Sequence, residues 1–480
     1  MFEHKSPAGL ARVAAAVAQG DDEEPGEDDT GVGRAPLTPV MRELAERAGP
    51  SALTGAFSQS MLVQTPAGLD LPTLVAAVGA LLGHHDVLRA RLERAGDTAY
   101  LVVPPDGEGP PAADLVTRHA GPFDPAVARA AVDRLDPAAG SMFQAVWFDT
   151  GPGAPGRLLL VAHHLVVDGV SWRVLVPDLA AACTALARGR EVDLARGTSF
   201  RRWATTLERQ AMSAARAAEL PGWTRLLGGP NRTLGRRPLD PVVDTVAGGI
   251  HRAELTVPAE VTTHLLTRIP EAFQTGVDAV LLAGLVAAAG EWRRRLGGNL
   301  AGGVLVDVEG HGRVPLADDM DLTRTVGWFA AAHPVRLDPG TSDHAGIRSG
   351  GPAAGVLVRR IAEQLREVPG DGLGFGMLRY LNPDTAPALA ALPVPQIGFN
   401  YLGRFTATPA TGGHGGGDMD HDTTGGAGVR TNHPENGPGV QGDWRPAGDA
   451  VLGGTADGAT PPRTPWRPGA RCATCPAAPN

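Results

Sequence analysis

Cysteine, aromatic side chains and long apolar runs are scarce in this 480-residue chain. Its three cysteines cannot build a disulfide framework, and the C-x-x-C of Cys472 and Cys475 lacks a second pair to complete the roughly four ligands of a zinc site. No stretch approaches the roughly 18 apolar residues of a membrane span, and the first residues lack the charged-then-apolar pattern of a secretory signal. We therefore expect a cytoplasmic protein with no metal site and no membrane partner.

Positive charge is also scarce. The chain has 43 Lys and Arg against 52 Asp and Glu, a formal net charge of −9, and no basic block stands out. Proteins that bind a phosphate backbone concentrate Lys and Arg, so nucleic acid is not an expected partner. Hydrophobic residues make up 43% of the chain, enough for two lobes, because a single core stops growing near ~250 residues.

Composition places the folded body between two polar stretches. Residues 20–35 combine acidic repulsion with Pro and Gly, which is typical of a flexible linker, so the body is expected to begin near Pro36. A stretch rich in Gly, Pro and Arg at 219–249 separates two halves of similar length. We predict an N-terminal lobe over 36–215 and a C-terminal lobe over 216–407.

Within the body, helical periods alternate with short β-branched or aromatic runs, which predicts an α+β fold. Helices are predicted at 71–83, 124–135, 173–188, 200–218, 277–294 and 354–367. Strands are predicted at 158–162, 303–307, 333–337 and 396–401.

One strand leads directly into a histidine motif, HHLVVDGVSW, at 163–172. A junction between strand and loop presents side chains beside a cleft, and an imidazole there can take and return a proton near neutral pH. A lone histidine pair is more often an ordinary packed feature, but the longer H-H-x-x-x-D-G-x-S-W pattern makes that interpretation the minor one. We assign proton transfer to His164 and orienting or structural roles to His163 and Asp168, since a buried aspartate needs a partner.

This motif resembles the signature of condensation-type domains of nonribosomal peptide synthetases. The resemblance implies a two-lobed pseudo-dimer related to chloramphenicol acetyltransferase, with a tunnel between the lobes that admits a phosphopantetheine arm. The motif alone leaves peptide-bond formation, cyclisation, acyl transfer and epimerization open.

Four further stretches resemble epimerization domains in particular, over about residues 36–405 and in the family's order. They are VEGHGR at 308–313, TRTVGWF at 323–329, GLGFG with LRYL at 372–381, and GFNYLG at 398–403.

The resemblance implies L-to-D inversion of the α-carbon of an aminoacyl or peptidyl thioester on a carrier's 4'-phosphopantetheine, with no cofactor of the domain's own. His164 and Glu309 would face each other across the tunnel. Two such groups suit the chemistry, because inversion removes a proton from one face of the carbon and delivers one to the other.

Other residues are expected to support this pair. The enolate oxygen needs donors, and the candidates are backbone N–H groups near Gly169 and the side chains of Asn400 and Tyr401, for which core packing is an equally good interpretation. Arg313 is expected to form an ion pair with Asp168 and not to contact substrate.

Two features have simpler interpretations. Trp172 and Trp328 are expected to be wall or core residues. The glycine-rich GLGFG lacks the strand-helix context of a nucleotide loop, so we expect no nucleotide site there.

The sequences at both ends of the chain differ from what a single complete domain of this family would have. The segment FEHKSPAGLARVA at 2–14 resembles the last helix of a peptidyl carrier protein, so residues 1–19, with a helix over 7–18, are expected to be a carrier remnant. Residues 408–480 show neither the hydrophobic periodicity of a helix nor that of a strand. They are predicted to be disordered, because they would bury too little apolar area to offset the loss of backbone entropy on folding. A truncation or a shifted reading frame there would leave the C-terminal lobe incomplete.

Two alternative functions stay open at this point. One is a condensation-type acyl or peptidyl transferase, in which His164 helps a carrier-bound amine attack a thioester. The other is an inactive carrier-docking module, which an incomplete C-terminal lobe would favour. In each case the expected partners are a peptidyl carrier protein, acting in trans or within a split synthetase, and other synthetase modules, and the domain itself is expected to be monomeric.

Overall fold

The computed structural model describes residues 29–96, 98–230, 233–235, 237, 244, 253–299, 302–340, 343–403 and 444–445. The predicted carrier helix lies outside these residues, as does the predicted disordered tail except for Trp444 and Arg445. The described part is α+β, as predicted, and its strands form three sheets.

The first half is built on a four-stranded sheet in the order β2-β7-β6-β5. Its strands are β2 (Ser58–Gln64), β5 (Val116–Ala120), β6 (Phe143–Asp149) and β7 (Arg157–His163). Strand β7 lies between β2 and β6, antiparallel to both, and every residue from Leu158 to His163 is buried. This confirms the strand predicted at 158–162 and makes His163 its last residue.

A smaller sheet shows that the linker predicted at 20–35 is wrong over residues 29–35. Its order is β1-β4-β3, with strands β1 (Gly33–Pro36), β3 (Arg91–Ala95) and β4 (Thr98–Val103). Before it, the Asp29 carboxylate accepts a hydrogen bond from the backbone N of Ser199 at 2.8 Å, at the start of helix Phe200–Ala211. Composition suggested that the acidic residues only repel each other, but a helix N-terminus attracts a carboxylate.

The helices follow the predicted positions closely. Those of eight residues or more span Pro39–Ala48, Leu71–His84, Pro125–Asp133, Trp172–Ala187, Phe200–Ala211, Leu220–Leu227, Ala259–Leu266, Val277–Arg295 and Pro352–Arg366; shorter ones span Ala112–Leu115, Ala214–Ala217, Arg268–Phe273, His344–Arg348, Leu373–Gly376 and Ala386–Ala390. The helix predicted at 200–218 is divided, because the Ser213 side chain accepts from the backbone N of Arg216 and starts a new helix.

No single helix in the described ranges is both long and apolar enough to cross a membrane. The pair Ala259–Phe273 and Val277–Arg295, bent by 102°, reaches that length and composition only when the two are taken together.

The second half carries a three-stranded sheet in the order β10-β8-β9, and it confirms the remaining predicted strands. Strand β8 (Val304–Gly310) is antiparallel to β9 (Ala331–Leu337) and parallel to β10 (Ile397–Asn400). Buried residues of all three strands share a core with helices Val277–Arg295 and Pro352–Arg366.

One segment of the second half packs into the first. Residues 311–330, here called the crossing segment, connect β8 to β9, and five of their apolar side chains are buried in the core of the first half: Met320, Leu322, Val326, Trp328 and Phe329. Polar contacts add to this packing, since the indole N–H of Trp203 donates to the Val314 carbonyl at 3.1 Å and Gln210 Nε2 donates to the Leu316 carbonyl at 2.8 Å. The core of the first half is therefore built from both halves of the sequence.

The described pair Trp444 and Arg445 also packs against the first half. The Trp444 side chain is only 5% exposed and belongs to the same core, and the Arg445 carbonyl accepts a hydrogen bond from the backbone N of Gln64, at the end of β2, at 2.9 Å. A buried aromatic side chain contributes about 2 kcal/mol or more of transfer free energy. Composition gave no indication of this contact, because it depends on one indole in a long polar sequence.

Candidate active site

The first histidine of the motif is a packed residue. His163 is fully buried at the end of β7; its Nε2 lies 3.0 Å from the Gly55 carbonyl, and its Nδ1 accepts from the backbone N of Leu165 at 3.3 Å. Burial lowers the pKa of His163 to about 4, so the ring is neutral at pH 7. Both ring nitrogens are bonded to backbone, which leaves His163 a structural part of the loop.

The second histidine lies among aromatic and amide side chains. Its ring stacks on Phe57, with centroids 4.6 Å apart and planes 8° apart, and packs against Trp328 at 4.4 Å on a tilt of 46°. The backbone N of His164 donates to the Phe57 carbonyl at 2.8 Å, and His164 Nε2 lies 2.8 Å from Gln59 Nε2. The ring is thus held by neutral neighbours on three sides.

Asp168 holds the rest of the motif in shape. Its Oδ1 accepts from the backbone N and the hydroxyl of Ser171, each at 2.8 Å, and from the backbone N of Val170 at 3.1 Å, while Oδ2 accepts from the backbone N of Phe329 at 3.2 Å. The residue is 5% exposed. Asp168 therefore joins the motif loop to the crossing segment.

The ion pair predicted for Asp168 and Arg313 is present and buried. Arg313 donates to Asp168 Oδ1 at 2.8 Å and to the Ser171 hydroxyl at 3.2 Å, and its guanidinium lies 4.2 Å from the centre of the Phe329 ring. Both side chains of the pair are less than a tenth exposed. Arg313 is thus a link between the two halves.

Glu309 lies on β8, where the strands of the second half hold it in place. Its ladder partner on the parallel strand β10 is Asn400, and Asn400 Nδ2 donates to Glu309 Oε1 at 2.9 Å. Glu309 is half-buried. An amide donor on one carboxylate oxygen fixes the orientation of the carboxyl group.

Two contacts bring the His164 loop and the Glu309 strand to the same region. Arg313, four positions after Glu309, is bonded to Asp168, four positions after His164. Trp328, which contacts the His164 ring, lies three positions before the start of β9, the strand that pairs with β8 on the side opposite β10. The crossing segment therefore links the His164 loop to the sheet that carries Glu309 at both of its ends, through Arg313 at one end and Trp328 at the other.

The residues suggested as enolate donors have different surroundings. Gly169 is half-buried, and a side chain built on it would meet no atom within 4 Å, so open space lies beside this stretch of backbone. Asn400 is engaged with Glu309, and Tyr401 packs at the edge of the second core. Of the three, Gly169 is the one with room beside it for a ligand.

Sequence reasoning missed Gln59, the side chain that contacts His164 Nε2. It precedes His164 by 105 positions and lies on β2, which pairs with β7 so that Ser58 is opposite His163. The stretch SQSMLV is three polar residues followed by three apolar ones, so no alternation in the sequence marked this amide. Trp328 was correctly expected to be a wall or core residue, but its contact with the ring was not foreseen.

A small cleft, partly open to solvent, has Phe329 in its wall. Its walls include Glu43, Trp203, Ala332 and Tyr380, and neither His164 nor Glu309 lines it. We locate the chemistry by the polar contacts of the two acid/base candidates, not by this cleft.

Comparison with known proteins agrees with this geometry. The family model described as "Condensation domain" matches residues 51–419, more than half of the chain. A linear gramicidin synthase protein of Brevibacillus parabrevis is 34% identical over 427 residues, covering 84% of this chain and 8% of that protein. The chain thus spans less than a tenth of this relative's length.

Two solved structures give the same result at the level of the fold. The epimerization domain from the third module of tyrocidine synthetase B superimposes with a TM-score of 0.66 at 25% identity, covering 78% of this chain and 82% of that one. The first condensation domain of the calcium-dependent antibiotic synthetase superimposes with a TM-score of 0.54 at 21% identity, covering 76% and 79%. The two-lobed acetyltransferase-like fold expected from the motifs is confirmed.

Proposed function

This chain belongs to the condensation-domain family of nonribosomal peptide synthetases, and from that premise we propose that it inverts the α-carbon of a carrier-bound aminoacyl or peptidyl thioester. The thioester is presented on the phosphopantetheine arm of a peptidyl carrier protein. His164 and Glu309 act on opposite faces of the carbon.

The reaction needs two proton transfers and no redox step. One group removes the α-proton, and the C–H electron pair delocalises into the thioester carbonyl as an enolate. The other group, which starts protonated, delivers its proton to the opposite face. General acid and base groups in such positions typically contribute ~10²- to 10⁴-fold each.

The observation that carries the proposal is the bond from Asn400 to Glu309 on paired strands. A glutamate with no task in the reaction needs no such partner, whereas a proton donor must keep one geometry. The Asp168–Arg313 pair supports the same assignment, because it connects the loop that holds His164 to the segment that follows Glu309.

Peptide-bond formation is the competing function within this family, and Glu309 distinguishes the two. Condensation joins an amine to a thioester and needs no second acid on the far face of the α-carbon. The higher TM-score to an epimerization domain, 0.66 against 0.54, also favours inversion.

The test is Glu309→Gln, which keeps the size of the side chain and removes the exchangeable acid. The full chain is incubated in D₂O with a separate carrier loaded with L- or D-Ala, Val or Phe, and deuterium at Cα is followed apart from chirality. We expect one enantiomer to exchange its α-proton without inversion and the other to react little. This asymmetry arises because one of the two faces has lost its proton donor.

Asp307→Asn is the matched control, since Asp307 lies two positions earlier on β8 and on the same face of the strand. It should retain inversion from both enantiomers. Equal residual inversion from both enantiomers in a folded Glu309→Gln protein would remove Glu309 from the mechanism. Peptide-bond formation by the wild type, with no inversion of any loaded residue, would overturn the proposal itself.

A further inference from the structure

Three side chains form a short chain of hydrogen bonds that ends at His164. The indole N–H of Trp172 donates to Gln59 Oε1 at 2.9 Å, and Gln59 Nε2 lies 2.8 Å from His164 Nε2. Trp172 is 2% exposed and starts helix Trp172–Ala187, and Gln59 is half-buried on β2. Two neighbouring structural elements therefore hold the amide between them.

The chemistry of the tryptophan decides the direction of every bond in this chain. An indole N–H can only donate, so the Gln59 atom that faces Trp172 is the carbonyl oxygen. The atom that faces His164 is then the amide NH₂, which donates. His164 Nε2 must therefore accept, and in the neutral ring the proton lies on Nδ1.

We infer that Gln59 is a positioning residue that, with Trp172, holds His164 as the Nδ1–H tautomer with the Nε2 lone pair unprotonated. The tautomer itself does not depend on the reaction. Its use in catalysis rests on the proposed epimerization, in which the proton acceptor must begin each cycle neutral.

Gln59 also opposes protonation of the ring. A proton on Nε2 would face the two N–H bonds of the amide, so the amide must either turn over, which breaks its bond to Trp172, or move away from the ring. Each of these costs a buried hydrogen bond, on average about 1 kcal/mol. Gln59 therefore favours the neutral ring of His164 over the imidazolium.

The described neighbours of the ring named above act in the same direction or are neutral. The side chains packed on it are Phe57 and Trp328, which are uncharged. Its chain neighbour His163 is neutral because burial depresses its pKa. The charges of Asp168 and Arg313 are paired with each other. Glu309 is the acidic group that the proposed reaction brings to the same carbon.

The first experiment detects the tautomer without any substrate. The protein is labelled with [¹⁵N]histidine, and the ring signals of His164 are identified among the 14 histidines by their loss in His164→Ala. We expect wild-type His164 to show a protonated Nδ1 and an unprotonated Nε2. In Gln59→Glu, both carboxylate oxygens accept, so the proton should move to Nε2. A wild-type ring protonated on Nε2 would overturn the inference.

The second experiment measures the pH dependence of α-hydrogen exchange, using whichever of the Ala, Val and Phe carriers the wild type exchanges. In Gln59→Glu the new carboxylate stabilises the imidazolium, so the acid limb should shift upward by about one to three pH units. Trp172→Phe leaves the amide free to turn over, and the limb should shift in the same direction by a smaller amount. A folded Gln59→Glu protein with an unchanged acid limb would contradict the inference.

Gln64→Glu is the matched control, because it makes the same chemical change on the same strand about 16 Å further along. It should alter neither the tautomer nor the acid limb. If the wild type exchanges no substrate at all, the proposed function fails, while the ring signals still decide the role of Gln59.

Discussion

His163 and His164 are adjacent and identical in chemistry, yet their surroundings give them opposite uses. Both nitrogens of His163 are occupied by backbone, and burial keeps the ring neutral. The ring of His164 contacts the side chains of Phe57, Gln59 and Trp328, so we expect its protonation to respond to substitution of these neighbours. In this loop a single step along the chain separates a packing residue from a catalytic candidate.

At the same scale, the buried pair of Asp168 and Arg313 makes a prediction about stability. Arg313→Met leaves a buried carboxylate without its cation, and we expect the free energy of unfolding to fall by about 3 to 5 kcal/mol, measured by urea denaturation. Asp168→Asn in the same chain should recover part of this loss, because the two side chains are directly coupled.

The control for this pair is Arg202, whose ion pair with Asp319 also joins the two halves but is largely exposed. Arg202→Met should cost less than about 1 kcal/mol. Equal losses for the two methionine variants would mean that burial does not determine the strength of these links.

Among the elements, strand β7 and the helix after the motif were predictable because each has a clear local pattern of apolar residues. The change of LLLVA to HH placed the end of β7 at Ala162, one residue before its observed end, and the helix followed from the spacing of its apolar residues. The contacts of Gln59, Trp328 and Arg313 were harder to predict. Each depends on a partner more than 100 positions away, and only Arg313 could be paired in advance, since a buried aspartate requires a cation.

The start of the crossing segment shows a role for glycine that the sequence did not reveal. On sequence alone, the two glycines of the VEGHGR stretch suit a backbone that approaches a ligand closely, because neither has a Cβ. Instead Gly312 has φ +65° and lies against the backbone of Phe329, so that a Cβ there would lie 1.8 Å from the Phe329 oxygen. Its lack of a side chain serves packing between the two ends of the segment.

Two glycine variants test this difference within one motif. Gly312→Ala introduces both a clash and a left-handed conformation, and we expect a loss of at least about 2 kcal/mol of unfolding free energy. Gly310→Ala, whose Cβ would have its nearest neighbour 4.0 Å away, should lose less than about 1 kcal/mol. Thermal unfolding of the two proteins side by side is the measurement, and equal melting temperatures would contradict the packing role.

For the whole molecule, two histidines set a pH dependence of stability: His163 is fully buried and His333 is half-buried. Burial lowers the pKa of His163 and of His333 to about 4, below the ordinary value near 6.5. Between these values the unfolded chain binds more protons than the folded one, so stability is complete above pH 6.5 and decreases as the pH falls toward 4. Asp86, whose buried carboxyl has a raised pKa, acts in the opposite direction.

We expect unfolding free energy to fall by on the order of 2 kcal/mol per histidine between pH 7.5 and pH 5. Urea denaturation at the two pH values measures this fall. His333→Leu should reduce it by about half and leave the value at pH 7.5 less affected. A fall of the same size in the variant would assign the effect to other groups.

The crossing segment also limits how such domains can be recombined. A hybrid that joins the first half of one parent to the second half of another takes Asp168 and Ser171 from one source and Arg313 and Gly327 from the other. The residues of a single hydrophobic core would then also come from two different parent proteins. Junctions in the connection between the halves are therefore poor sites for building chimeric synthetases, and exchanging the domain as one inherited unit keeps every one of these contacts.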